Sequence, residues 1–98
     1  MALTMLIEFR ARPALWEEFK ALVAELLPGT AAFDGCDLLH AAAVEDEHTI
    51  VFYEVWRDQA SRDAYGEWRQ SRGDPDRLAR YMREPPVRRM ATPIAVPA

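Results

Sequence analysis

From Ile50 to Trp56 the chain reads Ile-Val-Phe-Tyr-Glu-Val-Trp, and strand alternation puts Phe52, Glu54 and Trp56 on one face. After Arg57-Asp58-Gln59 a segment with helical spacing follows, and it returns Tyr65 and Trp68 towards that face. A carboxylate, a phenol and two indoles are thereby gathered by adjoining elements. Side chains of these types wall a small pocket, packing an aromatic ring and offering hydrogen bonds at its polar edge.

Other chemistries have little support. Cys36 is the only cysteine, so neither a disulfide framework nor a cysteine zinc site is available, and a small buried hydrophobe is its expected role. The two histidines show no metal-ligand spacing with each other or with Cys36. His48 sits in the charged run Glu45-Asp46-Glu47 and is expected to be solvated. His40 sits in an apolar strand beside Leu38, Leu39 and Ala41. Neither a glycine-rich phosphate loop nor a Gly-x-Ser-x-Gly nucleophile turn occurs, and the four glycines stand singly. No metal is expected.

The formal net charge of −4 opposes general nucleic-acid binding, which relies on a basic surface to neutralise phosphates. The charge is unevenly spread, with three basic and ten acidic side chains in residues 1–56 against nine and six in residues 57–98. That C-terminal excess of arginine suits either a solvated helix face of mixed charge, an anionic ligand, or the acidic half of another subunit. No stretch approaches the roughly 20 apolar residues of a membrane span. The opening segment Met1–Glu8 lacks a basic leader and turns acidic early, so a cytoplasmic protein without membrane partners is expected.

Six main elements must position the pocket residues within one domain, residues 1–98. Leu3, Met5, Ile7 and Phe9 alternate with Thr4, Leu6, Glu8 and Arg10, predicting a strand from Leu3 to Arg10. Pro13 suits a first helical turn, and Leu15, Trp16, Phe19, Leu22, Val23, Leu26 and Leu27 recur at helical spacing until Pro28-Gly29 disturbs the helix near its end, with room for a further turn over Thr30-Ala31-Ala32-Phe33. Asp34-Gly35 predicts a tight turn into a second strand, Cys36 to Val44, which forms a hairpin with a third, about Thr49 to Trp56. The second helix runs from about Gln59 to Ser71, with Ala60, Ala64, Tyr65 and Trp68 as its apolar arc. Asp74 is placed to cap a shorter helix through Leu78, Tyr81 and Met82. A last strand is predicted from Val87 to about Val96, with Pro93 confined to an edge, a bulge or a contact outside the regular ladder.

The order β-α-β-β-α-β predicts a ferredoxin-like α+β sandwich with an antiparallel sheet. Two helices cover one face of four strands, and the other face also carries apolar residues. A homodimer packed sheet against sheet is the expected remedy.

The segments Glu8-Phe9-Arg10-Ala11-Arg12-Pro13, Phe33-Asp34-Gly35-Cys36, Phe52-Tyr53-Glu54-Val55-Trp56 and Met90-Ala91-Thr92-Pro93-Ile94-Ala95-Val96 together resemble the antibiotic-biosynthesis monooxygenase family of the dimeric α/β-barrel superfamily. The resemblance implies a dimeric barrel with a pocket in each subunit between sheet and helices. It also implies cofactor-free oxygenation of an aromatic polyketide, phenol or quinol by dioxygen, since characterised members include such enzymes. Haem-degrading members resemble the chain at Trp56 but carry an Asn where Phe9 stands and a haem-ligating His where Tyr65 stands, so that activity is disfavoured. In the oxygenase reading Tyr65 holds a substrate oxygen, His40 accepts a proton, and Trp56, Phe9, Phe52 and Trp68 surround the ring. Each also has a plainer role: Trp56 as core anchor, Tyr65 and Trp68 as packing residues, His40 as a buried or interface histidine, and Glu54 as the partner of an arginine. A non-catalytic ligand-binding barrel, or isomerase or cyclase chemistry, is the alternative function.

Overall fold

The computed structural model describes residues 1–97 as a sheet layered against helices, 20 Å across its thinnest dimension. The strands are β1 (Leu3–Arg10), β2 (Cys36–Val44), β3 (Thr49–Trp56) and β4 (Val87–Ala91), and the helices are α1 (Trp16–Ala31), α2 (Gln59–Arg72) and α3 (Asp74–Ala79). Strand order is β2-β3-β1-β4 with every neighbouring pair antiparallel, which is the ferredoxin-like α+β topology. No helix is long and apolar enough to cross a membrane among the described residues.

Residues directly opposite on paired strands share a face. Met5 opposes Glu54, and Ile7 opposes both Phe52 and Arg88, so these five look towards the helices. Met5, Ile7, Ile50 and Phe52 meet Trp16, Phe19 and Val23 of α1 in the core. Leu6 opposes Tyr53 and Arg89, and His40 opposes Tyr53, so these four stand on the far face, which no helix covers.

Gly35 explains how the first turn of α2 reaches the start of β2. Its φ is +95°, and a Cβ there would lie 2.4 Å from the Ser61 Cβ. Glycine alone tolerates both demands. The Arg57 N–H then donates to the Gly35 carbonyl at 2.8 Å, and Asp58 caps α2 by accepting from the Ser61 N–H at 2.8 Å.

Past Pro28, α1 takes the further turn that the sequence allowed, continuing to Ala31 and closing with the Ala32 N–H on the Pro28 carbonyl. Several other sequence expectations change. Asp74 is the first residue of α3 and not its cap, because its carboxylate is taken up by arginines. That helix ends at Ala79, and Met82 instead bridges to Ala11. The last strand stops at Ala91, leaving Ile94 and Val96 exposed. In α2, Ala60 and Ala64 are exposed while Ser61 and Arg69 are buried. Cys36 is half-buried, and desolvation foremost pushes its thiol pKa up. His48 is half-buried with its ring edge-on to Trp16 at 5.7 Å.

Candidate active site

A cavity of about 400 Å³ opens between the sheet and the helices, within the roughly 300–1,000 Å³ typical of small-molecule sites. Ile7, Phe9 and Phe52 supply its sheet side, Val23 and Leu26 come from α1, and Leu78 and Met82 come from the α3 region. Phe9 and Phe52 meet edge to face with centroids 4.9 Å apart, fixing both rings in the wall.

The polar part of the wall comes from Glu54, Arg62, Tyr65, Arg69, Asp74 and Arg88. Arg69 is buried and fully engaged. Its Nε donates to the Tyr65 hydroxyl at 2.9 Å, Nη1 to Asp74 at 2.9 Å, and Nη2 to the Leu26 carbonyl at 2.7 Å and the Thr30 hydroxyl at 2.9 Å. A guanidinium survives burial only when paired and hydrogen-bonded in this way. Burial pushes the Asp74 carboxyl pKa up, but hydrogen bonds from Arg69 and Arg72 outweigh it and hold the group below the usual carboxylate range.

Glu54 differs from Asp74. Its Oε1 accepts from the Trp56 indole at 2.9 Å and lies 3.8 Å from the Arg62 Nε, while its Oε2 has no hydrogen-bond partner among the described residues. The Arg62 Nε is itself buried and without an acceptor. Arg62 lies over the Tyr65 ring at 5.1 Å and the Trp56 ring at 5.8 Å, the stacking that a planar guanidinium favours.

Tyr65 and Thr30 share a hydrogen bond of 2.7 Å, and each hydroxyl also accepts from Arg69. Each hydroxyl has one proton to give. Whichever of the two donates to the other, the second proton has no acceptor in this network. When Thr30 is the donor, Tyr65 keeps an O–H for a ligand oxygen.

Of the residues singled out from sequence, Phe9, Phe52 and Tyr65 line the cavity. Trp56 is fully buried behind Tyr65 and forms no part of the wall. Trp68 lies farther out, packed on Phe33 at 5.3 Å and under Arg69 at 4.6 Å. His40 is exposed on the far face, with the sheet between it and the cavity, so within one protomer it reaches no proton there. The apolar pattern of the sequence does not point to Arg62, Arg69 or Arg88. The spacing of Arg62, Tyr65 and Arg69, three and four residues apart, does mark a second stripe along the helix beside the apolar one. Among the described residues, no three His, Cys, Asp or Glu side chains are placed to hold a metal ion.

The family model for antibiotic biosynthesis monooxygenase matches residues 2–83. The chain belongs to that family. No curated protein matches the sequence. Among solved structures, the chain is similar to Rv0793 from Mycobacterium tuberculosis, with a TM-score of 0.85, 17% identity and 100% of both chains covered. It is also similar to the NE2512 protein of unknown function from Nitrosomonas europaea, with a TM-score of 0.77, 19% identity, and 99% of this chain and 95% of that one covered. A third relative is the monooxygenase from ActVA-Orf6 of Streptomyces coelicolor, solved with the ligand nanaomycin D. Its TM-score is 0.77 at 18% identity, with 99% and 91% of the two chains covered. At such identities the likeness fixes the fold, and antibiotic biosynthesis monooxygenase membership fixes the reaction only as a general class.

Proposed function

We propose that the protein is a cofactor-independent monooxygenase that oxidises a phenol, quinol or aromatic polyketide with dioxygen. The observation that carries this reading is the cavity itself, in which an apolar floor of Phe9 and Phe52 meets Glu54 and Tyr65. The nanaomycin D complex of the Streptomyces relative supports a small organic ligand in this fold.

In the proposed reaction Glu54 takes the ring-hydroxyl proton while Tyr65 donates a hydrogen bond to the oxygen that becomes electron-rich. The organic anion passes an electron to dioxygen, and the two radicals join through a new C–O bond. The O–O bond then breaks, leaving one oxygen on carbon as a carbonyl and releasing the other as water. The substrate loses two hydrogens to that water and four electrons overall, so no further reductant enters. The substrate supplies the redox chemistry, and the protein supplies a mainly apolar cavity, a base and a donor. No metal, flavin or haem has a part in this scheme.

The proposed assembly is a homodimer. Leu6, Leu38, Val51, Tyr53 and Val55 put apolar surface on the sheet face that no helix covers, and a second copy offers the matching face. The test of the reaction is oxygen uptake by purified, metal-stripped protein with a panel of dihydroquinones and polycyclic phenols, autoxidation subtracted. A rate proportional to protein concentration is expected. Uptake at the autoxidation rate throughout the panel, for compounds that bind, would return the chain to a ligand-binding or isomerase role.

A further inference from the structure

The reaction above uses Glu54 and Tyr65 but leaves two cations of the cavity wall without a task. Arg62 comes from α2 and Arg88 from β4, and both line the cavity. Arg88 stands opposite Ile7, which stands opposite Phe52, so its side chain leaves the sheet on the helix side, in the row of the apolar floor. In that row Phe52 is two strands from Arg88, about 10 Å at the ordinary strand spacing, and Glu54 is the next residue on the same face of β3, so the long Arg88 side chain extends towards it along the cavity wall. Arg88 has no carboxylate within salt-bridge distance among the described residues, and Arg62 approaches only Glu54, at 3.8 Å.

Charge counting at this end of the cavity gives two guanidinium groups to one carboxylate. Asp74 does not restore the balance, because Arg69, Arg72 and Arg77 already engage it. The Arg88 pKa lies below its usual range, through desolvation first and repulsion from Arg62 second, with a smaller opposing pull from Glu54. Two arginines that line one cavity and repel each other are stabilised by an anion bound near both. The Arg62 Nε is buried and 3.8 Å from Glu54, too far for a hydrogen bond, so Glu54 does not satisfy the Arg62 guanidinium.

We propose that Arg62 and Arg88 form an oxyanion subsite at the Glu54 end of the cavity, and that the ligand is an aromatic molecule carrying one negatively charged oxygen group, with its ring on Phe9 and Phe52. A carboxylate attached to the ring system and an ionised ring hydroxyl share this chemistry. The arginine fork binds either, and a carboxylate fits it in bidentate fashion. The inference deepens the proposed function by naming the substrate class, but binding alone tests it.

The experiment titrates intact protein with 2-naphthoate, 2-naphthamide and 2-naphthol, following tryptophan fluorescence or heat. In the unmodified protein naphthoate is expected to bind about ten-fold tighter than naphthamide, the ratio that one charge-assisted hydrogen bond supports. Arg88→Gln, which breaks no ion pair among the described residues, is expected to bring the naphthoate-to-naphthamide affinity ratio close to one. Arg62→Gln serves as the second variant. Naphthol affinity rising with pH would make the ring oxyanion a ligand of the subsite as well, and a flat profile would assign it to carboxylates. Equal affinity for naphthoate and naphthamide would overturn the subsite and leave the cavity reading standing. Binding of none of the three would overturn both. A retained naphthoate preference in a protein that consumes no oxygen would keep the subsite and sink the oxygenase.

Discussion

Trp56 and Tyr65 lie with ring centroids 4.9 Å apart and planes inclined at 37°, and the indole is fully buried behind the phenol. This pairing divides the labour between them. Tyr65 faces the cavity, while Trp56 holds Tyr65 from behind and hydrogen-bonds Glu54 through its indole N–H. Trp56→Phe should therefore act first on stability, with a loss of about 2 kcal/mol from lost packing volume and a lost buried hydrogen bond. Urea unfolding measures that loss directly. An unchanged midpoint would mean that the indole contributes little to the core.

The Arg69–Asp74 pair is a second point of vulnerability. Asp74→Asn leaves a buried guanidinium without its counter-charge and is expected to cost about 3–5 kcal/mol. The same pair sets an acid limit. The folded-state Asp74 pKa lies below the ordinary value of 3.8, so below that value the unfolded chain takes up a proton before the folded one does. The stabilisation is complete above the ordinary value and is lost as pH falls through it towards the lower folded one. Unfolding curves between neutral pH and strongly acid pH should show the drop in the parent protein and a shallower one in Asp74→Asn.

Gly35 carries a steric prediction. Alanine there must hold a φ of +95° and place its methyl 2.4 Å from Ser61. The expected loss is about 3 kcal/mol, combining left-handed strain with overpacking. Thermal melts of Gly35→Ala and Ser61→Gly/Gly35→Ala separate the two contributions, since removing the Ser61 side chain relieves only the clash.

Much of the fold is legible in the sequence because strand alternation and helical spacing are local. The limits of that reading are physical. In β2 both faces read alike, Leu38, His40 and Ala42 against Leu39, Ala41 and Ala43, so alternation alone cannot say which face meets the helices. The pairing register with β3, including the irregularity between Cys36 and Leu38, decides it and turns His40 outward. The last strand looks longer in sequence than it is, because its partner runs out: Ala91 pairs with Thr4, near the first residue of β1. Arg69 reads as a solvated helix arginine. The groups that permit its burial, Leu26 and Thr30, lie 43 and 39 residues away. Phe9, Phe52 and Tyr65 were accessible from the pattern because each sits on a strand face or helix stripe that already had to point inward.

The dimer is tested on the far sheet face. Light scattering at micromolar concentration should give the mass of two chains, and Val51→Lys, which puts a charge into the middle of that face, should give the mass of one without loss of helical signal. A monomeric mass for the parent protein would remove the sheet-to-sheet assembly.

The measurement that bears most directly on the cavity as the place of oxidation is oxygen uptake compared between the parent protein and Gly66→Leu. Gly66 lines the cavity from α2, and a Cβ there meets only the Arg62 guanidinium, at 3.3 Å. Leucine narrows the space and should stabilise the helix by about 0.5–1 kcal/mol relative to glycine. Turnover above autoxidation in the parent, reduced about ten-fold or more in Gly66→Leu with an unchanged or higher melting temperature, is the expected result. Equal turnover in the two proteins would place the chemistry elsewhere, and none in the parent would contradict the oxygenase outright.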